Sequence, residues 1–239
     1  MRLDQYVTEH SEITRNKAQA MIKAWAILVN NKLITKTGFK LKETDIVEVS
    51  ETEESKYVAR SAMKLKKHLE QFPQEMNWKI ALDIWSSTWG FCQILLEQNI
   101  SKIYAVDVGT SQLHETLRNK TEIISLENTD IRDLKLLPEK VDFITCDVSF
   151  IKLDMIIDAI ISHISDNTIA YLLFKPQFEV GKNRVNNKWV VKDEKFTIRE
   201  LNNFLDICRA KWLQILRVEN SIMKWENGNQ EIFIEAKKK

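Results

Sequence analysis

The sequence predicts an α/β protein, with a small α+β unit ahead of a larger domain built on a doubly wound sheet. Three observations predict it. From residue 59 onward, short apolar strands alternate with helix-period segments, the pattern of repeated βαβ units. Residues 1–49 instead show two short helical patterns followed by a hairpin signal. Between the two, Ser50 to Lys56 is polar, acidic at first and without apolar periodicity, which marks a linker.

In the first unit, Leu3, Tyr6, Val7 and Ile13 belong to a helix and its exit. Thr14 can cap a second helix, where Ala18, Met21 and Ile22 follow helical spacing. Residues 27–29 and 32–34 flank Asn30-Asn31 as a two-residue hairpin, and 46–49 closes the unit as a strand. In the larger domain the helices are expected at 59–72, 91–98, 113–118, 153–164 and 195–210. Strands are expected at 79–84, 102–106, 123–126, 143–146 and 168–174. The last two strands, 214–219 and 231–236, read as an antiparallel pair at the sheet edge.

Composition narrows the class. At 239 residues, 44% hydrophobic and 29% charged, the chain is an ordinary globular size and polarity. No apolar run approaches the roughly 20 residues that cross a bilayer, and the first residues lack a signal-peptide apolar region. Cys92, Cys146 and Cys208 are odd in number and far apart, so no metal site is expected and a reduced, cytoplasmic setting fits. His10, His68, His114 and His163 show no ligand spacing and read as surface or boundary positions. The net charge of +1 makes no global demand for nucleic acid, but residues 1–42 carry eight cations against three anions. Arg2, Arg15, Lys17 and Lys23 belong to that basic face and are candidates to contact the phosphates of an RNA.

The chemistry concentrates at Ala81-Leu-Asp-Ile-Trp-Ser-Ser-Thr-Trp-Gly-Phe91. An apolar strand feeds a tight loop at a helix N-terminus, and Ile103-Tyr-Ala-Val-Asp107 is a second buried strand ending in a carboxylate. Together they outline a nucleotide-type cofactor site. Such a loop needs glycine, because its backbone must turn sharply and approach a ligand closely. This loop carries Trp85 and Trp89. The whole chain holds 5 glycines beside 7 tryptophans, where average usage of about 7% would give roughly 17 glycines.

Several ordered motifs resemble the TlyA family, whose members are named both as hemolysins and as ribosomal RNA 2′-O-methyltransferases. Arg2-Leu-Asp4, Thr14-Arg15-x-x-Ala18 and Val29-Asn30 resemble its ribosomal-protein-S-four-like RNA-binding domain. Tyr57-Val-Ala-Arg-Ser-Ala-x-Lys64-Leu65 resembles the opening of its second domain. Leu82-Asp-Ile-x-Ser-Ser-Thr-x-Gly-Phe91, Ala105-Val-Asp-Val-Gly109 and Asp130-Ile-Arg-Asp-Leu134 resemble its S-adenosylmethionine site. Asp147-Val-Ser-Phe-Ile-x-Leu153, Lys175-Pro-Gln-Phe-Glu-Val-Gly181 and Gly228-Asn-x-Glu231 resemble its catalytic segments.

The resemblance implies an RNA-binding domain over 1–49, a linker over 50–56 and a Rossmann-like methyltransferase domain with a mostly parallel seven-stranded sheet over 57–239. It implies methyl transfer from S-adenosyl-L-methionine to the ribose 2′-oxygen of a cytidine in ribosomal RNA, with ribosomal RNA or subunits as partners and no membrane. Its Lys-Asp-Lys-Glu tetrad maps to Lys64, Asp147, Lys175 and Glu231. Lys175 is then the base or the hydroxyl-orienting group, its pKa lowered by burial and by Lys64, with both lysines held by the two acids. The cofactor would meet Asp83, Trp85, Ser86, Ser87, Thr88, Trp89, Gly90 and Phe91 of the loop. Asp107 and Val108 serve its ribose, and Asp130 or its neighbour serves the adenine amino group. Phe150 and Phe178 are candidates to stack a flipped base, or core residues.

The departures from the family pattern are systematic. Glycine is expected at 25, 78, 85, 89, 189, 212 and 225, most firmly at 85 and 89, and every one is tryptophan. A translation that reads UGA as tryptophan, where the source cell reads it as glycine, accounts for all seven. If the indoles are real, an RNA-binding protein with an inactive second domain becomes the competing expectation. Hydropathy gives no support to a membrane-active hemolysin, and the loop lacks the dinucleotide spacing of a dehydrogenase.

Overall fold

A computed structural model describes residues 1–11, 15–23, 27–49, 57, 59–84, 90–110, 115–223 and 228–239 of the protein. The chain packs as two compact units, Met1–Met63 and Lys64–Lys239.

In the first unit, helices α1 (Leu3–Ser11) and α2 (Arg15–Lys23) precede strands β1 (Ile27–Val29), β2 (Lys32–Leu33) and β3 (Val47–Val49). The strands form an antiparallel sheet of order β2-β1-β3. Asn30 and Asn31 hold φ of 51° and 61°, the paired left-handed conformation that a two-residue hairpin turn needs and asparagine tolerates. Leu3 with Val7, and Ala18 with Ile22, sit four apart on their helices and so share a face. They meet Ile27 and Val29 in a small buried core. Ile13 and Thr14, read as helix exit and cap, fall outside the described residues, as does the linker at 50–56.

The second unit is an α/β sandwich. Its elements are α3 (Arg60–Gln71), β4 (Ile80–Ile84), α4 (Gly90–Glu97), β5 (Lys102–Val106), α5 (Glu115–Arg118), β6 (Ile123–Leu126), β7 (Phe143–Cys146), α6 (Ile157–Ser162), β8 (Ile169–Phe174), α7 (Pro176–Glu179), α8 (Glu194–Ala210), β9 (Leu213–Asn220) and β10 (Ile232–Lys238). The sheet runs β6-β5-β4-β7-β8-β10-β9. Neighbours from β6 to β8 are parallel, while β10 is antiparallel to both β8 and β9. The predicted terminal pair forms, but β10 slots inside β9 and leaves β9 at the edge. Central strands β7 and β8 are buried almost throughout, as strands in a sheet covered on both faces must be.

Strand building proceeds outward from β4 to β6, then restarts at β7 on the other side of β4. At such a switch the carboxyl ends of the strands open a crevice, the usual ligand position in this architecture. The first-built strands β4 and β5 end there in Ile84 and Val106, next to Asp83 and Asp107.

Two local departures have clear causes. The helix expected over 153–164 is broken into a 3₁₀ turn at Leu153–Met155 and α6, with Ile156 at φ −122° between them. The four-residue α7 was not expected, although Pro176 directly after the extended Lys175 sets φ for a first helical position.

Trp78, Trp189 and Trp212 have φ of 61°, 60° and 64°. Every tryptophan among the described residues thus lies in the left-handed region, where bulky side chains are rare.

Candidate active site

The carboxyl edge of the sheet brings Lys64, Asp147, Lys175 and Glu231 to two ion pairs. Lys175 follows β8, and its Nζ lies 2.7 Å from Asp147 Oδ1 beyond β7. It also donates to the Asp147 carbonyl at 3.0 Å and to Ser149 Oγ at 2.9 Å. Two of these contacts are hydrogen bonds, while Asp147 Oδ1 meets the ammonium as an ion pair without hydrogen-bond geometry. Lys64 Nζ, on α3, lies 2.5 Å from Glu231 Oε2. Gln177 Nε2, two residues past Lys175 in the chain, donates to Glu231 Oε1 at 3.1 Å. The β8–β10 register explains the meeting: Phe174 opposes Ile232, so Lys175 and Glu231 are the next facing positions. All four residues are buried or nearly so. Charges removed from water are costly unless paired, and each of these is paired, although Asp147 Oδ1 and Glu231 Oε2 meet their lysines without hydrogen-bond geometry.

A second pair stands one helical turn further along α3. His68 Nε2 lies 2.8 Å from Glu235 Oε1, and both side chains are buried. Arg217 Nε adds a contact to Glu235 at 3.1 Å while its guanidinium covers the Phe72 ring at 3.7 Å. His68 is therefore neither a surface nor a boundary residue. His163 is buried too, and burial holds its pKa below the usual histidine value. The missed signal was the shared spacing: 64 and 68 lie one turn apart on a helix, and 231 and 235 lie on one strand face.

Asp83 and Asp107 hold the adjoining strand ends. Asp83 is buried and accepts from Thr145 Oγ1 at 2.6 Å and from Cys92 Sγ at 3.1 Å. Asp107 accepts from the Gly109 backbone at 2.7 Å. Beside it a narrow slot is lined by Val106, Val108, Ile131, Val148 and Ile151, with Asp130 at its wall. Apolar side chains flanked by a carboxylate match the chemistry of a flat base joined to a ribose. The slot as it stands has a volume of about 10 Å³, room for about one water, so an adenosyl group requires these side chains to part. The Asp130 carboxylate binds Arg132 through Oδ1 at 2.9 Å and Oδ2 at 2.6 Å, which keeps its pKa below the ordinary value. Gly90 opens α4, while the Phe91 ring is buried and stacks 6.4 Å from Phe233 in the interior. Trp85, Ser86, Ser87, Thr88 and Trp89 lie outside the described residues.

Phe150 is 77% exposed and holds φ of 66°, a strained conformation for an aromatic residue. Its ring lies 4.8 Å from that of Phe178, and Trp189 packs on both at 6.1 and 5.9 Å. Below them Glu179 accepts from the Leu153 backbone at 3.0 Å and clasps the loop after Phe150 onto α7. Burial pushes the Glu179 carboxyl up to about 7.

In the first unit, Arg2 and Arg15 are half-exposed, and α2 carries Lys17 and Lys23 on its backbone. Among the described residues there is no cluster of three or more potential metal ligands, and no helix is long and apolar enough to cross a membrane.

The FtsJ-like methyltransferase family matches residues 57–239, and the S4 domain matches residues 1–47. The 23S rRNA (cytidine-2′-O)-methyltransferase TlyA of Campylobacter jejuni is 40% identical over 98% of both chains. The chain belongs to the TlyA family. Hemolysin A of Brachyspira hyodysenteriae is 36% identical, over 97% of both chains. A hemolysin-named protein of Streptococcus thermophilus superposes with a TM-score of 0.76 at 27% identity, covering 100% of this chain and 88% of its own. The tetrad and the crevice accordingly lie in the methyltransferase domain of a TlyA-family enzyme.

Proposed function

We propose that this TlyA-family chain transfers a methyl group from S-adenosylmethionine to the ribose 2′-oxygen of a cytidine in ribosomal RNA. The observation that carries this reading is the tetrad: Lys175, pinned by Asp147 and Ser149, stands opposite Glu231 of the Lys64–Glu231 pair at the carboxyl edge of the sheet. Residues 1–49 dock the RNA and residues 57–239 carry the chemistry, in the cytoplasm, where ribosomal subunits assemble. Three buried free cysteines suit a reducing compartment.

Bound cofactor supplies a methyl already activated on a sulfonium, so the protein's work is positioning and handling one proton. Asp107 takes the ribose hydroxyls and the slot beside it takes the adenine. Asp83 serves the amino end. Ser149 Oγ marks where a substrate hydroxyl would sit, since it accepts from Lys175 and is the one uncharged side-chain partner of that ammonium. When the 2′-hydroxyl replaces it, Lys175 orients the oxygen; to receive the hydroxyl proton it must first give up one of its own to solvent, so that the neutral amine meets the substrate. Asp147 and Glu231 hold the two cations in register. Phe150 and Phe178 receive the flipped base, with the strained Phe150 backbone presenting its ring to solvent.

Methyl-tritiated S-adenosylmethionine, incubated with unmodified ribosomal subunits and the glycine-bearing chain discussed below, tests the assignment. After nuclease digestion the label is expected in 2′-O-methylcytidine. Label on a base, or on protein alone, would refute it.

A further inference from the structure

We infer that the natural chain carries glycine at positions 25, 78, 85, 89, 189, 212 and 225, through UGA codons that the source cell decodes as glycine. The backbone supplies support independent of any family pattern, because each described tryptophan occupies a glycine station of a different kind. Met76 to Lys79 is a four-residue turn closed by Lys79 N donating to Met76 O at 3.1 Å. Trp78 is its third residue and its only one of positive φ, the type II pattern that calls for glycine or asparagine. In the hairpin bridged by Val185 and Val191, Asn186 N donates to Val190 O, and Trp189 N to Asn186 O, both at 2.9 Å. Trp189 is then the left-handed third residue of a three-residue loop, again a glycine position. Trp212 follows the capping residue Lys211 of α8 in the left-handed conformation, where helices most often place glycine.

Among the described residues, the other non-glycine positions of positive φ are Asn30, Asn31, Asn99, Asn128 and Phe150. Asparagine tolerates that region, so apart from Phe150 at the proposed base pocket, only tryptophans violate the rule. Trp78 and Trp212 are also 78% and 72% exposed, so packing does not explain them. One residue type placed wrongly at several unrelated turns points to one cause, and decoding is the cause that acts by residue type.

Peptide mass spectrometry on the protein from its source cells tests this without reference to activity. Tryptic peptides 68–79, 189–192 and 212–217 are expected to contain glycine at 78, 189 and 212. Tryptophan at any of the three would overturn the inference, whatever the enzyme proves to methylate. The glycine-accepting transfer RNAs of the same cells should include one whose anticodon pairs with UGA, and lack of such a species would overturn it too.

A different observation carries a second inference. Resting on the reading of the first unit as an RNA-binding surface, we propose that Asp4 is a positioning residue for Arg2 and Arg15. Its carboxylate is fully buried, yet both guanidiniums are about half-exposed. Asp4 accepts from Arg2 Nε and Nη2 at 2.9 and 3.0 Å, and from Arg15 Nε and Nη2 at 3.0 and 2.9 Å. Gln19 Nε2 and the Gln5 backbone complete its shell at 3.0 and 3.1 Å. Each guanidinium has five donors in a fixed fork and spends two on Asp4. Two forks gripped by one carboxylate hold their remaining donors close together, as a single phosphate or two neighbouring ones require. Gly38 permits the arrangement: a Cβ there would come within 3.3 Å of Arg2 Nη2.

The sign of one substitution decides. Asp4→Asn removes a negative charge, so electrostatics alone would tighten RNA binding. If Asp4 positions the arginines, the full-length variant binds deproteinised 23S rRNA about 10-fold more weakly, and Asp4→Asn has no further effect in an Arg2→Ala/Arg15→Ala background. Asp4→Glu, which keeps the charge but displaces the carboxylate from both guanidiniums, weakens binding in the same direction and decides the matter if Asp4→Asn does not fold. Unchanged or tighter binding by the folded variants would overturn the role. A parent chain with no measurable rRNA affinity would instead overturn the RNA-binding reading on which it rests.

Discussion

A chain with glycine at all seven tryptophan positions is expected to bind S-adenosylmethionine at least 100-fold more tightly than the chain with tryptophan, as read by calorimetric Kd. That ratio corresponds to about 3 kcal/mol. Five residues, 85–89, link the end of β4 at Ile84 to the start of α4 at Gly90, beside the carboxylates of Asp83 and Asp107. A connection that short must turn sharply, and at a cofactor crevice its backbone itself makes the contacts. An indole buries on the order of 150–250 Å² wherever it finds cover, so replacing two of them by glycine in so short a connection is expected to have a large effect. Glycine at 85 and 89 alone should recover most of the affinity. Glycine at 78 and 212 should act on stability instead, since a left-handed non-glycine residue costs roughly 1–2 kcal/mol and these exposed indoles lose little packing when removed. Their combined replacement is expected to raise Tm by several degrees, at about 2–4 °C per kcal/mol for a domain of this size. Glycine at 189 gives up ring contacts with Phe150 and Phe178 but uncovers both rings for a base. Equal cofactor affinity in the two chains would show that the loop accommodates its indoles.

What the sequence revealed, and what it hid, follows the range of each interaction. Strands β4, β5 and β7 were legible because mostly apolar runs in a covered sheet leave little ambiguity, and β6, a half-exposed edge strand, from its place in the strand–helix alternation. The predicted bounds of all four differ from the observed ones by at most one residue. The Asn30-Asn31 turn was legible because its backbone requirement is local. By contrast, the break at Ile156 depends on Glu179 reaching the Leu153 backbone from α7, a contact 26 residues away that no periodicity encodes. The His68–Glu235 pair joins residues 167 apart. Lys64, Asp147, Lys175 and Glu231 could be named only because family motifs mark them, while Ser149 and Gln177, which complete their hydrogen bonds, were passed over inside the same motifs. Asp4 was read only as one acid on a basic face. Its role as the anchor of two arginines requires α1 and α2 to meet.

Replacing Lys175 is the harshest single change expected within the methyltransferase domain. Lys175→Ala in the glycine-bearing chain should lower kcat by about 10³, within the 10²–10⁴ range typical of a lost proton-transfer group, while cofactor Kd stays within twofold. Cofactor affinity is spared because Lys175 sits beyond β8, whereas the adenosyl slot lies beside β5 and is walled by Asp107, Ile131 and Val148. The alanine result alone does not separate a proton acceptor from a fixed cation that merely orients the hydroxyl. Lys175→Arg separates them. A guanidinium keeps the charge and can still meet Asp147, but it does not give up its proton in a protein. An acceptor role therefore predicts that arginine rescues nothing, and an orienting role predicts substantial recovery. Asp147→Asn should fall between them, since it leaves the amine in place and keeps Oδ1 but removes the negative charge closest to it, at 2.7 Å. If Lys175→Ala retains the parent rate under single-turnover conditions, the tetrad is a structural ion network, and the methyl transfer must be managed by geometry alone.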